Sequence, residues 1–194
     1  MQIEPLRLPG AALVRMQRLA DERGFFARSA CVEEFRAHGL RGEFVQSSIS
    51  WNARRGTVRG LHFQWPPSQE GKLVRCVRGA LHDVLLDLRP GEPTFMAHVA
   101  VQLDEENRDA VYVPPGIAHG FQTLSDGTEV LYQMTDFHAA GLAAGVRWDD
   151  PAFQIRWPIA PATVIAARDA GYADFSSEAF QAELARRTAA GGAR

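Results

Sequence analysis

Between Phe44 and Tyr132 short apolar runs return at roughly 8–12-residue spacing, and each stops before it is long enough to make a stable helix. The runs are Phe44-Val45, Leu73–Val77, Leu81–Leu88, His98–Leu103, Ala110–Val113, Gly120–Leu124 and Val130–Met134. Between them lie turn formers such as Arg78-Gly79, Arg89-Pro90-Gly91, Asp104–Asn107, Pro114-Pro115-Gly116 and Ser125-Asp126-Gly127. A chain punctuated this way folds as antiparallel sheets in a sandwich or barrel, so the expected class is all-β. Val84-Leu85-Leu86 and Val99-Ala100-Val101 are continuously apolar, which predicts strands buried on both faces.

The rest of the chain is peripheral to that frame. Ile3 to Leu19 reads as short extended pieces broken by Pro5, Pro9 and Gly10, and Asp21–Phe26 as a polar turn leading into an aromatic pair. Cys31 to His38 has helical spacing and ends at Gly39, a C-cap residue. Residues 139–163 look irregular, with Pro151, Pro158 and Pro161 and two tryptophans. A helix is predicted over 176–187 with Phe180 and Leu184 on one face, followed by an Ala/Gly-rich tail, 188–194, expected to fray. No linker or repeat interrupts the 194 residues, so they are expected to form one domain.

A net charge of −2 supplies no basic field for nucleic acid. No apolar run approaches the ~20 residues that span a membrane, and the first residues lack a signal-peptide pattern, so a cytoplasmic protein is expected. Cys31 and Cys76 read as small core residues rather than a disulfide or zinc pair.

The segment Val58-Arg59-Gly60-Leu61-His62-Phe63-Gln64, followed by Gly71-Lys72-Leu73-Val74-Arg75, places cations and an imidazole in strand-like sequence. In a period-2 strand Arg59 and His62 cannot share a face without an irregularity, and Gly60 supplies a place for one. Half-buried cations are costly unless something anionic binds beside them, so the segment points to a pocket for a charged small molecule.

Those two segments, with Pro114-Pro115-Gly116-Ile117-Ala118-His119-Gly120-Phe121, Leu131-Tyr132, Arg147-Trp148-Asp149-Asp150-Pro151 and the opening Asp21–Phe26, occur in an order that resembles the dTDP-4-dehydrorhamnose 3,5-epimerase family, from about residue 3 to residue 175. The resemblance implies a cupin-like jelly roll of antiparallel sheets with short peripheral helices. It also implies a homodimer, no metal or organic cofactor, and inversion of C3, C5 or both on a nucleotide-linked 4-keto-6-deoxyhexose.

That chemistry needs a base for the α-proton, a stabiliser for the enolate oxygen and an acid on the opposite face. His62 is the candidate base, because an imidazole can accept a proton at neutral pH. The family pattern places its orienting carboxylate at Asp169, with Asp149 and Asp150 as structural or turn residues. Lys72 is the oxyanion candidate, with His119 a second donor, and Tyr132 is the candidate acid. Arg23 and Arg59 suit a diphosphate, since guanidinium matches phosphate bidentately. Phe26 belongs to an expected aromatic shelf for the nucleobase, and Gln46 and Ser48 stand where the family contacts sugar or nucleotide.

Departures from the family pattern fall on recognition. Ser48 and Ile49 replace the usual asparagine and histidine, Arg28 stands where a glutamate is common, and His138 where a tyrosine is common. The expectation is retained chemistry with altered recognition. Three other readings use a cupin-like fold: a metal-dependent cupin oxygenase built on His62, Glu70 and His119, a sugar-nucleotide-binding cupin without catalysis, and a sugar ketoisomerase with similar proton shuttling.

Overall fold

The computed structural model describes residues 1–191. In chain order its elements are β1 (Gln2–Pro5), β2 (Ala12–Arg15), β3 (Leu19–Asp21), β4 (Gly24–Phe26), α1 (Val32–Ala37), β5 (Gln46–Asn52), β6 (Thr57–Gln64), β7 (Lys72–Arg78), β8 (Ala80–Asp87), β9 (His98–Asp104), β10 (Ala110–Val113), β11 (Ile117–Thr123), β12 (Thr128–Met134), β13 (Ala143–Gly145), β14 (Val164–Ile165), α2 (Ala167–Ala170) and α3 (Ser177–Gly191). One sheet runs β1-β2-β10-β7-β12-β5, and the other runs β13-β6-β11-β8-β9 with β14 added beside β6. All pairings are antiparallel except β14 on β6. The architecture is a cupin-like jelly roll with few, short helices.

Alternation sets the core. Val74 and Cys76 on β7, Val111 and Val113 on β10, Val130 on β12, and Leu81, Leu85 and Phe121 on the facing sheet close one end of the space between the sheets. Lys72, two residues before Val74, shares its face and lies nearer the other end, which stays open. A second cluster covers the outer face of the β6–β11–β8 sheet. There Leu61, Phe63, Val84 and Leu86 pack under Val146, Phe153, Trp157 and Phe180. The proline-rich stretch that looks irregular in sequence is therefore a cover, tied down by Asp150, whose carboxylate accepts from the amides of Phe175 and Ala152 at 2.6 and 2.9 Å. The third cluster packs α1, through Phe35, onto the outer face of the first sheet.

Several expectations are corrected. Phe44-Val45 is not strand; the strand begins at Gln46, and Phe44 instead stacks edge-on against Phe35 at 5.7 Å. Val99-Ala100-Val101 is not buried on both faces, because β9 is the edge of its sheet and Ala100 is exposed. Asp21–Phe26 is more than a turn: β3 and β4 form a small hairpin. The C-terminal helix begins at Ser177 and runs to Gly191, beyond the expected end, because no glycine or proline interrupts residues 178–190. Residues 192–194 of the expected tail lie outside the described residues. No helix among the described residues is long and apolar enough to cross a membrane.

Candidate active site

The irregularity predicted at Gly60 is present. On β11, His119 and Phe121 are two apart, yet they pair with His62 and Arg59 on β6, which are three apart. The extra residue turns Arg59 and His62 onto one side, and both line a cavity of about 430 Å³. Gly60 adopts φ +119, and a Cβ there would sit 2.5 Å from the Gly120 Cα, so only glycine fits where the two strands approach.

His62 projects from β6 into this cavity, with 42% of its side chain exposed. Its Nε2 lies 2.7 Å from Oδ1 of Asp169, a residue 4% exposed on the short helix α2. The carboxylate's other oxygen accepts from the Gly60 amide at 3.1 Å. Burial disfavours the charged carboxylate, but the hydrogen bonds from His62 and Gly60 outweigh it and hold Asp169 below the usual aspartate range. Asp169 is thus an anion that fixes Nε2–H and leaves Nδ1 as the unprotonated nitrogen, a tautomer assigned from the hydrogen bond.

Lys72, at the start of β7, lines the same cavity, and its ammonium lies 2.8 Å from Glu70, whose side chain is 6% exposed. Glu70 also accepts from Gln64 at 2.9 Å. His119 is buried on β11, its Nε2 2.8 Å from Asp83, which is fully buried on β8. Asp83 Oδ1 has no partner among the described residues. Tyr132 comes from β12 in the opposite sheet and meets His119 edge-on at 6.1 Å between ring centres. Burial pushes its phenol far above the ordinary tyrosine value, so it is protonated at neutral pH. Arg59 is held by Asn52, Nε to Oδ1 at 2.7 Å.

A second cavity of about 380 Å³ shares His62, Lys72 and Tyr132 and extends to Gln46, Ser48, His138 and Arg168. Gln46 accepts from the His138 amide at 3.1 Å, which seats the 137–139 turn on β5. The site is therefore one trough with His62, Lys72 and Tyr132 at its middle.

Three residues singled out from sequence do not join it within one chain. Arg23 is paired with Asp21 at 2.5 Å, Arg28 with Glu34 at 2.7 Å, and Phe26 is 74% exposed, all on or beside the β3–β4 hairpin. Neither cavity is lined by any of them. Arg18 and Arg108 lie over the Phe25 ring, 5.1 and 5.3 Å from its centre, and Phe137 is exposed. Arg75 is buried on the outer face of its sheet, where loss of water lowers its pKa to about 10. Asp149 pairs with Arg147 and, like Asp150, plays a structural part. Glu70 is engaged by Lys72, and no group of three or more His, Cys, Asp or Glu side chains among the described residues is placed to hold a metal.

Sequence reasoning missed Ser50, Asn52, Asp83 and Arg168, and read Glu70 only as a metal ligand. The alternation Gln46, Ser48, Ser50 on β5 was the available signal for Ser50, and adjacency to Asp169 for Arg168. Asp83 pairs across strands and leaves no local trace.

A histidine held by a buried aspartate on one sheet, a protonated phenol on the other and an ammonium lining the same trough define an acid–base isomerase site in a jelly roll. A family profile described as dTDP-4-dehydrorhamnose 3,5-epimerase matches residues 5–177. The chain belongs to this family. It is 41% identical over 169 residues to the dTDP-4-dehydrorhamnose 3,5-epimerase of Sinorhizobium fredii, covering 87% of each chain. It superposes with a TM-score of 0.87 on NovW, a 4-keto-6-deoxy sugar epimerase from the novobiocin biosynthetic gene cluster of Streptomyces spheroides, at 36% identity and covering 95% of this chain and 92% of that one. With the Legionella pneumophila epimerase in complex with dTDP-4-keto-L-rhamnose the TM-score is 0.85 at 32% identity, covering 94% and 96%.

Proposed function

We propose that this chain, working as one jelly-roll domain, inverts C3, C5 or both on a nucleoside-diphosphate-linked 4-keto-6-deoxyhexose in deoxysugar biosynthesis. One observation carries the reading: His62 and Tyr132 stand on facing sheets of one trough, so a carbon held between them meets a base on one face and an acid on the other. Nδ1 of His62 takes the proton from the carbon beside the ketone, and Asp169 stabilises the imidazolium. Lys72, assisted by His119, stabilises the negative charge that moves onto the ketone oxygen. Tyr132 returns a proton to the same carbon from the other side and is reprotonated from solvent. Arg59 and Arg168 hold the diphosphate, while Gln46, Ser48 and His138 contact the sugar or nucleotide.

The reading includes a homodimer. On the edge strand β5, Ile49 and Trp51 are 63% and 59% exposed, an apolar edge that a second copy of the chain would cover. Arg23, Phe26 and Arg28 sit on an exposed hairpin away from their own trough, which suits delivery to the partner's trough. Mixing a His62→Ala chain with an Arg23→Ala chain tests this; activity regained on mixing supports a shared site. The cytoplasmic setting rests on the free thiols of Cys31 and Cys76.

The decisive experiment is proton NMR of dTDP-4-keto-6-deoxyglucose with the protein in heavy water. Deuterium should enter at C3, C5 or both with inversion, and His62→Ala should abolish entry. No entry with the native chain would leave only a binding protein. Titration with dTDP and CDP tests the nucleotide: clearly tighter dTDP would defeat altered base recognition at Arg28 and Ser48.

A further inference from the structure

Ser50 and Asn52, on the inner face of β5, are polar groups that the reaction above does not use. Arg59 Nε donates to Asn52 Oδ1 at 2.7 Å. Asn52 is 2% exposed, and its Nδ2 donates to Ser50 Oγ at 3.5 Å and to the Thr128 carbonyl at 3.1 Å. Ser50 and Tyr132 both line the His62 cavity, and Ser50 stands one pair diagonal to Tyr132 across β5 and β12, within reach of its phenol. With the Asn52 amide donating to Oγ, the serine's own hydrogen is the one free to point at the phenol oxygen.

We infer that Ser50, held by Asn52 and Arg59, is a positioning residue that donates to the Tyr132 phenol oxygen and holds that phenol for proton delivery. The direction of the bonds gives this its chemistry. When Tyr132 passes its proton to carbon, the O–H bond breaks, the C–H bond forms and the phenol oxygen is left negative. Burial opposes that anion, and the Ser50 hydroxyl and Arg59 charge are the neighbours that favour it. Arg59 is also the guanidinium placed for the diphosphate, so the row ties substrate anchoring to the aim of the acid. The inference rests on the epimerase reading, and its test separates the two.

In heavy water, His62 can return a deuteron to the face it deprotonated, giving exchange without inversion, whereas Tyr132 gives inversion. Ser50→Ala should leave deuterium entry into dTDP-4-keto-6-deoxyglucose near the native rate and raise the ratio of exchanged to inverted product about ten-fold, the effect of one hydrogen bond to a charged group. Ser50→Thr, which restores a hydroxyl, should bring the ratio back. In a Tyr132→Phe background Ser50→Ala should change nothing further, because the two act as one unit. An unchanged ratio in Ser50→Ala, equal loss of exchange and inversion in a folded variant, or a full additional effect in Tyr132→Phe each overturns the inference. Should Ser50→Ala not fold, Asn52→Ser removes the amide that orients Ser50 and must shift the same ratio. Deuterium entry that survives His62→Ala would instead strike at the epimerase reading itself.

Discussion

Replacing Asp169 by asparagine keeps the side chain's volume and removes its charge. The carboxylate accepts two hydrogen bonds, from His62 Nε2 at 2.7 Å and from the Gly60 amide at 3.1 Å. Asparagine has one acceptor oxygen. If that oxygen stays on the Gly60 amide, the side-chain NH2 confronts the imidazole, which must present a lone pair at Nε2 and so carry its proton on Nδ1, where the base is needed. If it stays on His62, the buried Gly60 amide loses its acceptor. A hydrogen bond to a charged group contributes about 1.5–3 kcal/mol, so proton abstraction should slow by about 10- to 150-fold. The assay is the initial rate of deuterium entry next to the ketone at neutral pH, with circular dichroism to verify folding. Asp169→Asn with a native exchange rate would refute the argument that the carboxylate sets the tautomer of His62. The same substitution tests linkage. Asp169 has a folded pKa below its unfolded value, so the stabilisation is fully present above about pH 4 and is lost as pH falls through the folded value. The native chain should lose thermal stability on acidification more steeply than the variant.

Lys72→Met should lower kcat by about 10²- to 10³-fold with little change in dTDP affinity measured by calorimetry, since the ammonium acts on charge that develops during reaction; a loss confined to KM would remove it from the oxyanion role. Gly60→Ala should destabilise the chain by more than about 3 kcal/mol in denaturant titration, because a Cβ 2.5 Å from the Gly120 Cα cannot fit without separating β6 from β11; a native midpoint would show that the bulge tolerates a side chain. If the proposed homodimer forms through β5, Ile49→Asp with Trp51→Glu should shift the sedimentation coefficient from dimer to monomer; a native chain that sediments as a monomer would refute the dimer, and an unchanged dimer would place the contact elsewhere.

Local pattern was enough for much of this molecule. The short apolar runs Leu73–Val77 and Leu81–Leu88, each closed by a turn former, announce β7 and β8. Gly60 between Arg59 and His62 announced a bulge because two polar groups can share a face only if the period is broken. His62, Lys72 and Tyr132 were legible as chemistry because they stand in motifs that resemble the family's and because imidazole, ammonium and phenol differ in proton affinity before burial shifts them.

What the sequence could not hold was which distant groups would meet. Asp83 beneath His119 and Ser50 diagonal to Tyr132 exist because strands far apart in sequence were brought into register. Burial then gave those pairs their strength by excluding water. Neighbouring strands decided burial too: Val99-Ala100-Val101 is as apolar as Val84-Leu85-Leu86, yet β9 has a partner on one side alone and Ala100 meets solvent. Residue identity thus determined what each group could do, and the pairing of the two sheets decided which groups could do it together, since a side chain's direction is a local property while its neighbours are a property of the whole fold.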